Sequence, residues 1–193
     1  MSAHALAAYE ALVALAAAQR LAELVLSRRN VARLSQAARP ADPSGNWVAL
    51  VSLQVLWLAG CALEPGLRGG VGAPWAFWSG LAAFAAGEAL RTWCIRTLGV
   101  AWNARARVDP QLCVVSHGPY RWIRHPNYLG VLLEFVGLAL AGGALWTLAL
   151  LALPHLVVLR RRMRGEDALL FALPGYAEAM GAKGALVPRL ARR

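Results

Sequence analysis

Hydrophobic positions in this chain come in long unbroken blocks rather than in the short periods of an amphipathic soluble fold. Ala5 to Leu26 predicts a first apolar helix, interrupted by Glu10 and by Arg20 and Glu23, which share a helical face at i, i+3. Ser27-Arg28-Arg29-Asn30 is expected to end it in a basic loop running to Pro43-Ser44-Gly45. Trp47 to Leu63 is a second, uncharged span, with Trp47 where an interfacial aromatic belongs. A Gly- and Pro-rich loop from Glu64 to Pro74 follows, then a third span from Trp75 to Ile95 in which Glu88 and Arg91 stand one turn apart and are expected to pair. Residues Arg96 to Asn127 are too polar and irregular to span.

Tyr128 to Leu159 is again apolar, with Glu134 and His155 as its only titratable groups. As one helix it would run about 48 Å, against a hydrocarbon core of roughly 30 Å. Gly142-Gly143 lies at its midpoint, where a turn costs little, so a helical hairpin is predicted, with Pro154 kinking its second arm. The fold class is an all-α integral membrane protein of about five transmembrane helices. It forms one domain over 1–193, with three N-terminal spans in 1–95 and a loop, hairpin and tail in 96–193.

Charge supports that count. All basic residues but Arg20 and Arg68 fall in three blocks, Arg28 to Arg39, Arg91 to Arg124 and Arg160 to Arg193. Five spans put all three blocks on one side, which the positive-inside rule assigns to the cytoplasm. Four spans would put the third block outside. The net charge of +10 therefore calls for anionic membrane lipids as counter-charge, with no nucleic-acid partner. Composition agrees with a membrane class: 59% of residues are hydrophobic, 16% are charged and the mean hydropathy is +0.47. Cys61, Cys94 and Cys113 have no metal-ligand spacing. The first apolar segment has no basic residue before it and reads as a retained span rather than a cleaved signal.

The segment Gly118-Pro119-Tyr120-Arg121-Trp122-Ile123-Arg124-His125-Pro126-Asn127-Tyr128-Leu129-Gly130 sets two arginines, a histidine and two tyrosines directly before an apolar run. Polar groups beside a membrane span are costly to desolvate and serve chemistry or anchoring. Anchoring suffices for Arg121 and Trp122. Pro126 suits the first turn of a helix, which would fix the position of His125 and direct the helix N-terminus at an anion. A second patch, Arg160 to Asp167, ends the hairpin; Arg162 and Glu166 are i, i+4 and share a face.

The pattern G-x-Y-x-x-x-R-H-P-x-Y-x-G followed by Glu166-Asp167 resembles the signature of the isoprenylcysteine carboxyl methyltransferase family. The resemblance implies a membrane methyltransferase that uses S-adenosyl-L-methionine. It carries cofactor contact onto Leu112, Cys113, Val114, Val115, Tyr120, His125, Pro126, Asn127, Tyr128 and Glu166, and sets Arg162 toward the acceptor. Leu112 to Val115 can line an apolar slot for adenine, while the tyrosine, histidine and asparagine supply directed polar groups. Departures are Asp167 in place of a second glutamate, and Met180 where a tyrosine would follow Tyr176.

Methyl transfer from a sulfonium needs a nucleophile held at the methyl carbon, so alignment in a water-poor pocket supplies most of the acceleration. A carboxylate acceptor needs only a cation such as Arg162. A phenol gains from a base, for which His125 and Glu134 are candidates, although Glu134 serves equally as a structural partner for Arg91 or Arg124. The implied acceptor is lipophilic: a prenylated cysteine carboxylate or a phenolic or quinone-type lipid.

Arginine dominates the basic residues, and with abundant Ala and Gly this points to a bacterial inner membrane, N-terminus outside and pocket cytoplasmic. The alternative is a non-catalytic scaffold or small transporter component. Convergence of Tyr120, His125, Tyr128 and Glu166 on one pocket would favour the enzyme, and convergence at the bilayer midplane the transporter. A haem or metal site using His125 and His155, brought together by the hairpin, lacks any further ligand pattern.

Overall fold

The computed structural model describes residues 3–41 and 46–189. The loop read at Pro43-Ser44-Gly45 and the last residues of the third basic block lie outside these residues. Five long helices carry the fold: α1 (Ala3–Val31), α2 (Asn46–Leu67), α3 (Pro74–Leu98), α4 (Pro126–Gly142) and α5 (Leu145–Leu170). A short α6 (Tyr176–Met180) follows. The strands β1 (Arg39–Pro40) and β2 (Arg107–Val108) pair antiparallel and tie the loop after α1 to the loop after α3.

Two helices run past their expected ends. Ser27 and Asn30 stay helical because their buried side chains hold the loop after α3: Ala104 N donates to Ser27 Oγ at 2.9 Å, and Asn30 Nδ2 donates to Trp102 O at 2.7 Å. Glu64-Pro65-Gly66 also stays helical. The Glu64 carboxylate accepts from Trp146 N at 3.0 Å and Thr147 N at 2.8 Å, two orphan donors at the start of α5. The hairpin is as expected. Gly143, in the left-handed conformation at φ 69°, turns the chain between α4 and α5, and α5 continues helically through Pro154.

α4 is the central helix. A Cβ on Gly137 would lie 2.7 Å from Gly80 O, and one on Gly87 would lie 2.8 Å from Gly130 O, so glycine faces glycine twice along the α3–α4 contact. Backbones approach this closely in membrane-type helix pairs, where small residues replace the hydrophobic effect as the basis of packing. Tyr9 of α1 donates to Leu138 O at 3.0 Å and Trp57 of α2 donates to Phe135 O at 3.2 Å, closing the other sides of α4.

Charged groups link α1, α3 and α4 through the middle. Arg20 pairs with Glu23 at 2.8 Å, with Glu88 at 3.5 Å and with Glu134, while Arg91 pairs with Glu134 at 3.0 Å and with Glu23. The expected Glu88–Arg91 pair on α3 is not made. Each reaches a different helix instead, because interhelical pairing satisfies more of these costly charges.

The outward surface is apolar at Leu15, Val55, Trp78, Leu150 and Leu153, all exposed. By length and composition α1 over His4–Val31 and α2 over Trp47–Leu67 can cross a membrane. α4, at 17 residues, rises only about 25 Å and is surrounded by other helices. The bundle has two distinct ends. Arg68 donates to Gly143 O at 3.3 Å at one end, whereas the β1–β2 pair and the Arg162 contact with Ala104 O at 2.6 Å gather the three basic blocks at the other.

Candidate active site at the basic end of the bundle

The motif loop takes its shape from three constraints. Gly118 adopts φ 57° and packs against Thr97, where a Cβ would meet Oγ1 at 2.7 Å. Pro126 opens α4 as its first residue, with His125 as the N-cap. The tail then clamps the loop from outside. Arg124 N donates to Gly184 O at 2.9 Å, His125 N to Ala185 O at 2.9 Å and Lys183 Nζ to Tyr120 O at 2.9 Å.

These elements enclose one end of a cavity of about 760 Å³. Leu112, Cys113, Val114, Val115, Tyr120, His125, Asn127 and Tyr128 line it from the loop and α4, and Arg162 and Glu166 from α5. Tyr176 and Met180 of α6 complete that wall. Its other end is an apolar groove between α1 and α2, from Glu10 to Leu24 on one side and from Trp47 to Ala62 on the other. The four side chains that separate the enzyme from the transporter reading thus share one cavity wall, at the basic end of the bundle.

Tyr128 is the hub. Its hydroxyl accepts from Arg162 Nε at 2.6 Å and donates to Glu166 Oε1, while Arg162 and Glu166 stand 3.5 Å apart. The i, i+4 pair on α5 is therefore joined through a phenol from α4. Beside it, His125 Nε2 lies 2.9 Å from Asp167 Oδ1, and its Nδ1 is 3.8 Å from Glu166. Arg124 grips the same Asp167 carboxylate with Nη2 at 3.1 Å and Nε at 3.3 Å.

Asp167 lies beyond the basic run Arg160 to Arg164, outside the apolar segment. Burial alone would raise its pKa, but hydrogen bonds from His125 and Arg124 outweigh that and hold the carboxyl below its usual range. An ionised carboxylate only accepts, so His125 Nε2 is the donor in that contact. Asn127 borders the cavity, and its Oδ1 is buried with no hydrogen-bond partner among the described residues.

Two expected site residues are elsewhere. Pro126 is buried on the far side of the loop with Leu90, Pro119 and Trp122, so it positions His125 without touching the cavity. Glu134, read as a candidate base, is 1% exposed and held between Arg20 and Arg91, facing away from the cavity; it is the structural partner of Arg91, while Arg124 goes to Asp167. His125 and His155 do not meet. His155 stacks on Phe135 at 4.5 Å, on the order of 15 Å of helix rise along α4 from His125. Among the described residues no three His, Cys, Asp or Glu side chains are grouped to hold a metal ion.

Sequence reasoning passed over Asp167 as a contact, and with it Lys183 and the tail. Its adjacency to Glu166 was a usable signal, because consecutive helical residues point about 100° apart and can serve neighbouring partners. Nothing in the pattern marked residues 183–185.

Residues 80–172 match the family model described as the isoprenylcysteine carboxyl methyltransferase (ICMT) family. Over these residues the chain is similar to the isoprenylcysteine carboxyl methyltransferase family. The match spans most of α3, the motif loop, the hairpin and the Arg162–Glu166–Asp167 patch, and so includes Tyr128 and both of its α5 partners. The chain is also similar to YpbQ, an uncharacterized protein of Bacillus subtilis (strain 168), at 29% identity over 160 residues, which cover 82% of this chain and 94% of that one. No solved structure matches.

Proposed function

We propose that this protein is a membrane methyltransferase that takes its methyl group from S-adenosyl-L-methionine and transfers it to the oxygen of a lipophilic acceptor. The work is done at the cytoplasmic end of a five-span bundle in a bacterial inner membrane. The observation that carries the reading is the single cavity in which a polar, hydrogen-bonding end around Tyr128 continues into an apolar groove. A cofactor with charged and aromatic parts fits the first, and a hydrocarbon chain the second.

The donor set suits the cofactor. Leu112, Val114 and Val115 offer an apolar wall for adenine, the unpaired Asn127 Oδ1 an acceptor for a hydroxyl or ammonium, and Glu166 a carboxylate for cationic parts. S-adenosyl-L-methionine supplies an electrophilic methyl group at its sulfonium. The chain's own residues hold and align the acceptor. Arg162, fixed by Tyr128 and by Ala104 O, presents its remaining guanidinium donors to a carboxylate or phenolate oxygen. A carboxylate needs nothing more. For a phenol, His125 Nδ1 accepts the proton while Asp167 stabilises the resulting imidazolium through Nε2. The apolar walls keep water away, which strengthens these contacts. At the same end of the bundle, exposed Arg28, Arg29, Arg160 and Arg161 meet anionic lipid headgroups.

The test is a transfer assay. Purified protein in lipid nanodiscs with methyl-labelled cofactor is offered a farnesylated cysteine, a long-chain phenol and a phospholipid amine. Label on either oxygen acceptor, lost in Arg162→Ala, is the expected result. Label on the amine alone would overturn O-methylation, and label on none of the three by protein that binds the cofactor would overturn this acceptor class.

A further inference from the structure

One polar group inside the apolar groove has no task in the chemistry above. His155 of α5 borders the cavity, is almost fully buried, and has no hydrogen-bond partner at Nδ1 or Nε2 among the described residues. Its ring is stacked on Phe135 with 14° between the planes, so one face is covered and both nitrogens lie on a fixed edge. Burying an imidazole without a partner is unfavourable, and proteins retain such groups where a ligand or water completes them.

A second polar side chain stands at the same depth. Gly60 of α2 lies against Thr147 of α5, and the two helices run in opposite directions. Counting inward from that contact brings Gln54 of α2 to the level of Leu153, within about 3 Å of axial rise of His155. Gln54 also borders the cavity, among Leu50, Val51, Val55 and Leu58. Arg20, Glu23 and Arg91 also border the cavity but are tied up in ion pairs, and Glu10 borders it from α1, so Gln54 and His155 are the uncharged polar side chains at this level of the groove. His155, Leu159, Arg162 and Glu166 line the cavity from a single stripe of α5, with His155 roughly 10 Å deeper than Arg162.

We infer that His155 and Gln54 form a second recognition point for the acceptor. It selects a long-chain molecule carrying a hydroxyl or carbonyl oxygen on its chain roughly 10 Å from the atom that is methylated. Both side chains can donate to that oxygen, while the neighbouring Leu50, Val51, Val55, Leu58 and Leu159 offer an oxygen no partner. Specificity of this kind comes from leaving the site's own polar groups unpaired when a plain hydrocarbon chain binds. The inference rests on the methyl-transfer reading for the position of the reacting end at Arg162, and it assigns a substrate class within it.

The test uses binding of fatty acids to the cofactor-free protein in mild detergent. The probes are hexadecanoate, 2-hydroxyhexadecanoate and 9-hydroxyhexadecanoate, the last with its hydroxyl about 10 Å from the carboxylate along ~1.5 Å bonds. Wild type is expected to bind the 9-hydroxy chain about three- to tenfold more tightly than either other probe. His155→Leu and Gln54→Leu are each expected to lose that preference while still binding hexadecanoate. A nitrogen resonance of His155 that shifts with the 9-hydroxy chain and not with hexadecanoate gives the same answer without any variant. Equal affinity of wild type for all three probes, or a preference that survives both substitutions, overturns the inference. Cofactor titration of the same preparation separates this from the wider reading, since a protein that binds the cofactor but ignores the hydroxyl loses only the second recognition point.

Discussion

The Tyr128 hydroxyl stands 2.6 Å from Arg162 Nε although 34 residues separate them in the chain. It also donates to Glu166, so one phenol holds a cation and an anion of α5 in fixed relation at the cavity wall. Removing it should be felt in catalysis more than in folding. Tyr128→Phe keeps the ring and its packing but removes the hydroxyl that fixes Arg162 Nε, leaving Glu166 Oε1 at 3.5 Å as its remaining partner. Turnover is expected to fall by roughly 10- to 100-fold with a small change in melting temperature. Steady-state kinetics beside thermal unfolding checks this, and an unchanged kcat would deny the hub its role.

Glu134→Gln separates structure from catalysis in the opposite sense. Glu134 compensates Arg20 and Arg91 inside the bundle and faces away from the cavity. Breaking a buried pair on one side costs about 3–5 kcal/mol. The variant should unfold at a clearly lower temperature while the pH profile of kcat keeps its shape. A profile that loses its acidic limb would restore Glu134 as a base.

Acid should loosen the motif loop through Asp167. Its folded pKa is depressed, so its contribution is fully present above the unfolded value of about 4 and is lost as pH falls through the folded one. Wild-type melting temperature is expected to drop as pH is lowered from about 5 to 3. In Asp167→Asn it should be lower at neutral pH and flatter across that window. Parallel curves for the two proteins would contradict the assignment.

The α3–α4 contact tolerates no side chain. Gly137→Leu would drive a Cβ against Gly80 O and the α3 backbone, which cannot rotate aside. Destabilisation of about 3 kcal/mol or more is expected, against a small effect for Gly66→Leu, where nothing lies within 4 Å of the added Cβ. Thermal unfolding of the two variants decides it.

Much of this arrangement was legible in the sequence. The hairpin followed from an apolar run too long for one crossing and a glycine pair at its centre, and Gly143 makes that turn. The R-H-P-x-Y motif and the Arg162–Glu166 pair were each readable as local patterns, and they meet at Tyr128. What stayed hidden was the pairing between helices. Glu88 and Arg91 invite a local pair one turn apart, yet each finds partners on α1 or α4, because the choice between near and distant charges depends on packing that spacing does not encode. Pro126 misled for a related reason: the motif marks it as part of the site, while its ring is what fixes the backbone behind it. The Lys183 to Ala185 segment gave no periodic signal for the clamp on Arg124 and His125, since those contacts are accepted by backbone carbonyls that any residue carries.

The measurement that tests the account most directly is calorimetric binding of S-adenosyl-L-methionine to the purified protein in mild detergent, beside His125→Ala and Glu166→Ala. The account predicts roughly micromolar binding by wild type, within the usual range for enzyme ligands, weakened at least about tenfold by each substitution with unfolding temperatures little changed. A folded wild type that takes up no cofactor, or variants that bind it as well as wild type, would contradict the claim that the polar end of this cavity is the cofactor site.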